Sequence, residues 1–483
     1  MALGIKVSSR KANSAGCVIL LVFACISETG CHRNVPVTRN SRSENAKALA
    51  RTIAMLREGE GVNTQYRILF YGQSISDKKW TDIASRNMAQ NYPNVNFKFS
   101  NLAIGGNGAS LLKRAVARDI DQFYPDLVVF HDYGGERDYE DIIKIIRSRS
   151  SAEIILQTDH LTARPEPLCP VGLNVTFRTP LGCIGTIWLH QRNWDDYMSG
   201  AVIPKMAVQF GAAIDPRRAG WNAYLNRHRL EPSQLLQDGV HPNDRGWHLA
   251  ASLFTEFFNT TVRFTTPSTT SLVIITPNNQ MKSRQLHFEG NRLEIISSRP
   301  LPNPIKATVD GVASEQLPGC WITTRVSSVP WIPEWPALRQ VDISDDRLEA
   351  DEWTVKLDQF NDDLTNFRFR LYSKLHGFDG EGNGSDDFVS TSGLIKIDAS
   401  DWVLGDAMKS RPVAIPQTLT LHWSRGNVCG HRPDVDAKIS PSEYHYIIAT
   451  GLENNKHVAT VVTAQNSYQT IRAFMSYKPW LLP

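Results

Sequence analysis

Between residues 66 and 259 the chain alternates short β-rich runs with longer segments of helical spacing. The β-rich runs are RILFY, NFKFSNL, DLVVF and AEIILQT, which predict strands. The longer segments show helical spacing, most clearly in the last one, where Trp247, Ala250, Ala251, Phe254 and Phe258 recur at steps of three and four. A second helix is predicted near 194–210. Apolar strands separated by helices predict a mostly parallel sheet covered on both faces, and we assign this α/β domain to 62–261.

After residue 261 the pattern changes to many short strands. The run TTPSTTS has the composition of a linker, and alternating or β-branched runs such as SLVIIT, LEIIS, WTVKL, FRFRLY and TLTLHW follow it. Closely spaced strands broken by Asn, Gly, Pro and Asp predict an all-β sandwich or jelly-roll-like domain over 262–483. Within the first domain, the Pro- and Gly-rich segment 161–190 predicts a long loop.

The N-terminus has the order of a secretory leader. Lys6, Arg10 and Lys11 precede the apolar run AGCVILLVFACI, and small and polar residues follow. That run is too short to span a bilayer. We therefore predict a signal peptide or lipoprotein leader over 1–31 and a secreted, periplasmic or cell-envelope protein. Lipid attachment at Cys25 or Cys31, with membrane association, is the alternative to plain secretion. The polar segment 32–61 is predicted to be a tether or an N-terminal flank.

Composition narrows the class of protein. The length of 483 residues favours two domains. The formal net charge of +3 gives no indication of a nucleic-acid partner. Four cysteines lie beyond the leader: Cys169, Cys183, Cys320 and Cys429. An even number suits an oxidising compartment, and pairing Cys169 with Cys183 and Cys320 with Cys429 keeps each disulfide within one predicted domain. The connectivity stays open, and free thiols are the alternative.

Four polar blocks of the first domain follow predicted strands or precede the last helix. They are YGQSI with Ser74, NLAIGGNGAS at 101–110, HDYGGERDY after the third strand, and DGVHPN with Asp238 and His241. A serine at such a turn is by itself more often a helix cap than a nucleophile. A serine hydroxyl becomes a nucleophile when an imidazole takes its proton and a carboxylate orients that imidazole. Asp238 and His241, three residues apart, can point to the same side of one loop and face Ser74.

Taken in order, these blocks resemble the SGNH, or GDSL-like, hydrolase family. The resemblance rests on Gly72-Gln73-Ser74-Ile75, on 101–106 and above all on DGVHPN at 238–243, and it covers about 66–259. It implies a three-layer α/β/α flavodoxin-like fold and hydrolysis of esters, often acetyl groups on carbohydrates. By matching position it implies that Ser74 is the nucleophile, His241 the general base and Asp238 its orienting acid. Gly106 and the Ser74 backbone N–H are implied donors of the oxyanion hole.

Two positions depart from the family pattern. The first block usually has Asp where this chain has Gln73. The third block commonly offers Gly-x-Asn-Asp, with the asparagine donating to the oxyanion, and HDYGGERD has no asparagine. Asp132 and Glu136, if ionised, cannot donate a hydrogen bond. Asn107 or a backbone N–H at Gly134 or Gly135 is the expected substitute.

Other candidate residues are interpreted as structural. We interpret His131, His160, His190 and His248 in this way, although His131 follows a strand near the predicted site. The loop 379–387 partly resembles a calcium loop with Gly384 at its sixth position, but Ser390 stands where a glutamate ligand belongs, which favours an ordinary hairpin. Trp321, Trp331 and Trp335 could stack on sugars, and core packing is the preferred interpretation. No metal or organic cofactor is expected.

These observations predict an exported serine esterase acting on an O-acylated carbohydrate or a similar ester. Two alternatives use the same fold. One is a glycan-binding or envelope protein without catalysis, which the missing asparagine favours. The other is an O-acyltransferase that uses Ser74 and differs only in what excludes water.

Overall fold

The first half of the chain is built on five strands, β1 (Tyr66–Gly72), β2 (Phe97–Asn101), β3 (Leu127–His131), β4 (Glu153–Gln157) and β5 (Ala213–Asp215). All are parallel, in the order β2-β1-β3-β4-β5. This is the flavodoxin-like order of a doubly wound sheet. The computed structural model describes residues 39–58, 65–163, 194–263, 273–277, 285–301, 304–431, 444–462 and 468–480. The predicted α/β fold with a parallel sheet is confirmed.

Helices cover both faces of this sheet, which gives three layers. They are α1 (Arg39–Ala48), α2 (Ala50–Glu58), α3 (Lys78–Asn91), α4 (Ala109–Phe123), α5 (Glu136–Arg149), α6 (Trp194–Tyr197), α7 (Ile203–Phe210), α8 (Arg217–His228) and α9 (Asp244–Arg263), with a π-helical turn at Met198–Val202. Tyr71 and Phe130 pack with α4, α5 and α7, whereas Phe70 and Val129 pack with α1, α2, α3, α8 and α9. Successive strand residues point to opposite sides of the sheet, so a continuous run of apolar residues makes both faces apolar. None of the described helices is long and apolar enough to cross a membrane.

The described part of the segment 32–61 is a packed flank. The Asn45 amide donates to the Ile214 carbonyl (3.1 Å) and accepts from the Ile214 N–H (2.8 Å), so it pairs with the edge strand β5 as another strand would. Glu153 at the start of β4 accepts the backbone N–H groups of Arg51 and Thr52, both at 2.8 Å. Helices α1 and α2 therefore complete the α/β layers.

The β-rich half consists of two regions. The first β-region holds β6 (Val273–Pro277), β7 (Gln285–Gly290), β8 (Arg292–Ser297), β9 (Lys306–Val309), β10 (Val312–Ala313), β21 (Tyr444–Ala449), β22 (Asn455–Val462) and β23 (Ile471–Tyr477). These strands form two four-stranded sheets, β10-β9-β22-β7 and β21-β8-β23-β6. A shared core that includes Leu293, Ile295, Val309 and Ile448 lies between them.

The inserted β-region interrupts the first between β10 and β21. It holds β11 (Trp321–Thr323), β12 (Ser328–Val329), β13 (Ile332–Pro336), β14 (Asp342–Ile343), β15 (Asp351–Asp358), β16 (Arg368–Ser373), β17 (Gly377–Asn383), β18 (Phe388–Val389), β19 (Ile395–Ile397), α10 (Leu404–Ser410) and β20 (Leu419–Asn427). The sheet β11-β20-β15-β16-β17 faces the smaller sheet β14-β19-β18 across a core containing Phe369, Ile395 and Trp402. A disulfide between Cys320 and Cys429 joins the two ends of this insertion. The predicted all-β half is confirmed, with two sets of sheets where the sequence predicts one sandwich.

Helix α4 packs directly against the inserted β-region. Asp119 on α4 is fully buried between Arg118 and Arg325, and Arg325 also donates to the Leu102 carbonyl at 2.7 Å. Burial raises the pKa of Asp119, but the two guanidinium groups outweigh it and hold that pKa below its usual value. Arg114 forms a second ion pair with Asp401, at 2.6 Å. These paired charges fix the insertion on the side of α4.

Candidate active site

Ser74 lies directly beyond the carboxyl end of β1. The strand ends at Gly72, whose φ is +141°, and a Cβ atom there would lie 1.7 Å from the His131 carbonyl oxygen of β3. Only glycine permits this close approach of the two strands. Ser74 then begins a short 3₁₀ turn, Ser74–Ser76, and is partly exposed. The turn therefore presents the serine at the edge of the sheet where α/β proteins bind ligands.

The acid–base loop, residues 237–243, completes a hydrogen-bonded chain to that serine. Nε2 of His241 lies 2.9 Å from Oγ of Ser74, and Nδ1 of His241 lies 2.7 Å from Oδ2 of Asp238. The other carboxylate oxygen of Asp238 accepts the backbone N–H groups of Val240 (2.9 Å) and His241 (2.7 Å). The structure thus brings together the three residues that the sequence singles out as nucleophile, base and orienting acid.

The charge of Asp238 determines which ring nitrogen of His241 is protonated. Burial raises the pKa of Asp238, but the hydrogen bonds from the backbone of His241 and Val240 and from the His241 ring outweigh it and lower the pKa to about 2. An ionised carboxylate only accepts, so Nδ1 of His241 carries the proton in the bond to Asp238. In the neutral ring Nε2 then has a free lone pair, which can accept the hydroxyl proton of Ser74.

Local contacts make the acid–base loop rigid. Gly239 has a left-handed φ of +85°, which allows the tight turn between Asp238 and His241. The N–H of Gln237 donates to the His241 carbonyl at 2.8 Å, and the Asn243 amide donates to the Gln234 carbonyl at 3.1 Å. The loop is therefore closed on itself before α9 begins.

The oxyanion loop, residues 104–108, joins β2 to α4. Gly106 has a left-handed φ of +72°. Asn107 is fully buried, and its amide donates to the Gly105 carbonyl (3.0 Å) and accepts from Nε of Arg339. Through these bonds the Asn107 side chain stabilises the conformation of the loop. Gly135 precedes α5, where its carbonyl accepts the Tyr139 N–H at 2.9 Å. No hydrogen bond within the described residues joins Ser74 to Gly106, Asn107 or Gly135, so their role as oxyanion donors stays a prediction.

Asp132 and Glu136 of the third block have different environments. Asp132 is fully buried, accepts the Tyr133 N–H through one oxygen at 2.7 Å, and its other oxygen has no partner among the described residues. Burial raises the pKa of Asp132 well above its usual range, which favours the uncharged form of this group. Glu136 instead binds Lys205 at 2.7 Å and the Tyr197 hydroxyl at 3.0 Å. Burial of Asp132 and the pairing of Glu136 with Lys205 both reduce the repulsion that these acids would exert on an oxyanion.

Two of the histidines interpreted as structural share one buried carboxylate beside the site. Asp159, just beyond β4, lies 2.7 Å from Nδ1 of His160 and 3.4 Å from Nε2 of His131. His160 also contacts the acid–base loop, because its Nε2 lies 2.6 Å from the Val240 carbonyl oxygen. The sequence interpretation missed this cluster. The available signal was a run of polar residues, TDH at 158–160, directly after an apolar strand.

The inserted β-region contacts the oxyanion loop. The Trp335 ring is so close that a Cβ atom on Gly105 would lie 2.4 Å from it. Trp335 belongs to the core, as preferred from the sequence, and also borders the predicted site. Trp321 donates its indole N–H to the Glu315 carbonyl at 3.0 Å, and Trp331 is partly buried against the core.

The remaining candidates lie away from the triad. His248 is exposed on α9, where its Nδ1 donates to the Asp244 carbonyl at 2.7 Å. Strand β17 runs through the calcium-like loop, and the Asp379 carboxylate accepts from Ser392 at 2.7 and 2.8 Å. The described part of the chain contains no group of three or more His, Cys, Asp or Glu side chains able to hold a metal. Cys169, Cys183 and His190 lie outside the described residues.

No protein-family model matches the chain, and no curated protein matches it by sequence. Solved structures with similar folds include LAE5, an α/β hydrolase enzyme from the metagenome of Lake Arreo, Spain (15% identity, 42% of this chain, 99% of that chain, TM-score 0.32). Axe2, an acetylxylan esterase from Geobacillus stearothermophilus, matches with 18% identity over 41% of this chain and 95% of its own, with a TM-score of 0.31. A two-domain esterase (CEX) active on acetylated mannans matches with 14% identity over 90% of this chain and 99% of its own, with a TM-score of 0.33. At this level of similarity, function has to be argued from the chain's own residues.

Proposed function

We propose that the chain is a serine esterase of the SGNH, or GDSL-like, type. The observation that carries the proposal is the continuous hydrogen-bonded chain from Oγ of Ser74 through His241 to Asp238. A structural role does not require a nucleophile, a base and an orienting acid in this arrangement at the open edge of a parallel sheet.

The geometry supports acyl transfer through Ser74. As Oγ attacks the ester carbonyl carbon, its proton passes to Nε2 of His241, and Asp238 stabilises the imidazolium that forms. Backbone N–H groups of Ser74 and Gly106 are the proposed donors to the oxyanion. The bond to the alcohol oxygen then breaks and His241 protonates that oxygen. Water attacks the acyl-enzyme by the same route, which releases the carboxylic acid and restores Ser74.

We further propose that the ester is an acetyl or similar short acyl group on a carbohydrate. The motif resemblance to the family supports this part of the proposal. An exported location, secreted or in the cell envelope, agrees with the leader and with the disulfide between Cys320 and Cys429, because disulfides persist in oxidising compartments. Lipid attachment at Cys25 or Cys31 stays the alternative to plain secretion.

The first test is hydrolysis of p-nitrophenyl acetate by the protein without residues 1–31. Ser74→Ala and His241→Ala should each abolish the enzyme-dependent rate. Two matched controls should retain it: Ser85→Ala, because within the described residues this hydroxyl bonds just the Thr81 carbonyl on α3, and His248→Ala. An unchanged rate in Ser74→Ala would exclude this serine as the nucleophile.

The same assay addresses the two alternatives. An acyltransferase would show a Ser74-dependent burst of p-nitrophenol with slow turnover, accelerated by added sugar acceptors. A binding protein would release no product from either p-nitrophenyl acetate or acetylated glycans, and would bind the glycan equally well with Ser74→Ala.

A further inference from the structure

His160 holds the acid–base loop from the carboxyl end of β4. It is buried, with 1% of its surface exposed, and its Nε2 lies 2.6 Å from the Val240 carbonyl oxygen. A carbonyl oxygen only accepts, so Nε2 of His160 carries a proton. Three residues later, the Ala163 N–H donates to the Gly239 carbonyl at 2.9 Å. Two successive carbonyls of the loop are therefore held by the segment that follows β4.

The peptide group between Val240 and His241 is bonded at both ends. Its carbonyl accepts from His160, and its N–H donates to Oδ1 of Asp238 at 2.7 Å. A hydrogen bond to an amide carbonyl polarises the amide and strengthens the bond that its N–H donates. His160 is thus connected to the Asp238 carboxylate through a single peptide group, without touching either Ser74 or the ring of His241.

Asp159 completes this arrangement on the other side of the His160 ring. Its Oδ1 lies 2.7 Å from Nδ1 of His160 and accepts the backbone N–H of His160 at 2.8 Å. Burial raises the pKa of Asp159, but His160 and the neighbouring His131 outweigh it and hold that pKa well below the usual range. The carboxylate is therefore ionised, and both nitrogens of His160 face acceptors.

Other groups pack around this cluster. The Tyr133 hydroxyl accepts the Asp159 N–H at 2.9 Å, and its ring stacks on His131 at 5.4 Å. Arg218, paired with Asp196, donates to the backbone carbonyl of His160 at 2.9 Å. The face of His160 packs on Trp221, with ring centroids 5.0 Å apart.

We propose that His160 is a positioning residue of the proposed esterase: by donating to the Val240 carbonyl, it holds the peptide that orients Asp238 and His241 toward Ser74. Asp159, through its contacts with the backbone N–H and the ring of His160, helps to hold the orientation that this bond requires. The inference rests on the proposed function, because it assigns to His160 a role in the reaction of that triad. The proposed site then comprises the three triad residues and two buried residues, His160 and Asp159.

The activity test compares two substitutions of His160. His160→Phe keeps a ring against Trp221 but removes the donor, whereas the amide of His160→Gln can still donate to Val240. Misplacing a catalytic group by about 1 Å costs on the order of 10²-fold in rate, so we expect His160→Phe to lower kcat by about that factor and to leave KM nearly unchanged. His160→Gln should recover most of the lost kcat.

Gln157→Leu is the matched control, because Gln157 is equally buried at the end of β4 but bonds Asp215, at 2.8 Å, and not the acid–base loop. It should lower stability without the selective loss of kcat. A wild-type kcat in His160→Phe, a change confined to KM, or an equal loss of kcat in Gln157→Leu would overturn the proposal.

A second measurement does not depend on activity. In protein labelled with ¹⁵N-histidine, the proton between His241 and Asp238 should give a downfield NMR signal that disappears in Asp238→Asn. His160→Phe should broaden or shift this signal, whereas His160→Gln and Gln157→Leu should preserve it. If the wild type shows no Ser74-dependent hydrolysis, the proposed function fails, and the NMR comparison still decides whether His160 positions the loop. An unchanged signal in His160→Phe would reject that role.

Discussion

Arg339, in the inserted β-region, donates a hydrogen bond through Nε to the side-chain oxygen of Asn107 in the oxyanion loop, 232 residues earlier. Arg339 is buried, and its other nitrogens bind the Ser400 carbonyl (2.6 Å) and the Asp406 carboxylate. One guanidinium therefore ties the oxyanion loop to α10 and to the turn that precedes it. The β-rich half is thereby part of the framework of the candidate site.

Replacing Arg339 should weaken both stability and activity. Lys cannot reproduce the forked geometry that serves Asn107, Ser400 and Asp406 together. Loss of one charge-assisted bond costs on the order of 1.5–3 kcal/mol, so Arg339→Lys should lower the free energy of unfolding by about that amount in urea titrations. A looser oxyanion loop should also lower kcat for p-nitrophenyl acetate.

Arg411→Lys is the control for that prediction, because Arg411 donates to the Trp331 carbonyl at 2.8 Å in the same region but is exposed. It should leave both quantities close to wild type. Retention of full kcat by a destabilised Arg339→Lys would show that the contact with Asn107 supports the fold alone.

A methyl group on Gly105 should disturb the oxyanion loop through Trp335. The added Cβ would lie 2.4 Å from the indole ring, which is too close without movement of the ring or the loop. Overpacking of this kind costs roughly 1–3 kcal/mol, and we expect Gly105→Ala to lose stability and kcat together. Gly200→Ala, where nothing lies within 4 Å of the new atom, should lower neither, and alanine in this helical turn should stabilise the protein slightly.

The double variant Gly105→Ala/Trp335→Ala tests whether the ring is the cause. Removing the ring gives the methyl group space, so the double variant should be more active than the sum of the single effects predicts. Additive losses would mean that Gly105 is required for another reason, such as the backbone conformation of the loop.

Local patterns were sufficient to predict much of the first domain. The β-rich runs correspond to β1–β4; for β1, β3 and β4 the run is almost continuously apolar, because these strands are buried on both faces. Strand β5 has only three residues, too few for a pattern. The Asp238 and His241 pairing was predictable because the two residues share one loop.

Contacts between segments that are far apart in the sequence could not be predicted from local patterns. The bond between Arg339 and Asn107 joins two segments that look ordinary by themselves. The role of His160 depends on Val240, 80 residues away. The separate sheets of the two β-regions arise because the chain leaves one sandwich after β10 and returns at β21, and strand patterns do not reveal which strands pair.

The disulfide between Cys320 and Cys429 should stabilise the inserted β-region. It closes a segment with a sequence separation of 109 and restricts the unfolded chain accordingly. Cys320→Ser/Cys429→Ser should therefore lose about 2–5 kcal/mol in the free energy of unfolding, measured by urea titration without reductant. Adding reductant should destabilise the wild type more than the double variant. Equal stability of both proteins would show that the bridge constrains little.

Asp132→Asn should stabilise the protein increasingly as the pH rises. In the folded state burial keeps the pKa of Asp132 well above its usual range, whereas in the unfolded chain the group loses its proton above about pH 4. Above that pH the unfolded state binds fewer protons, so Asp132 lowers wild-type stability by at most about 1.4 kcal/mol per pH unit. Asn cannot ionise, keeps an acceptor for the Tyr133 N–H, and removes this slope.

Urea titrations at about pH 4, 5.5 and 7 should show that the stability advantage of Asp132→Asn grows with pH. The control Asp362→Asn, at an exposed position, should show no trend. A pH-independent difference for Asp132→Asn would mean that this carboxyl ionises normally in the folded protein.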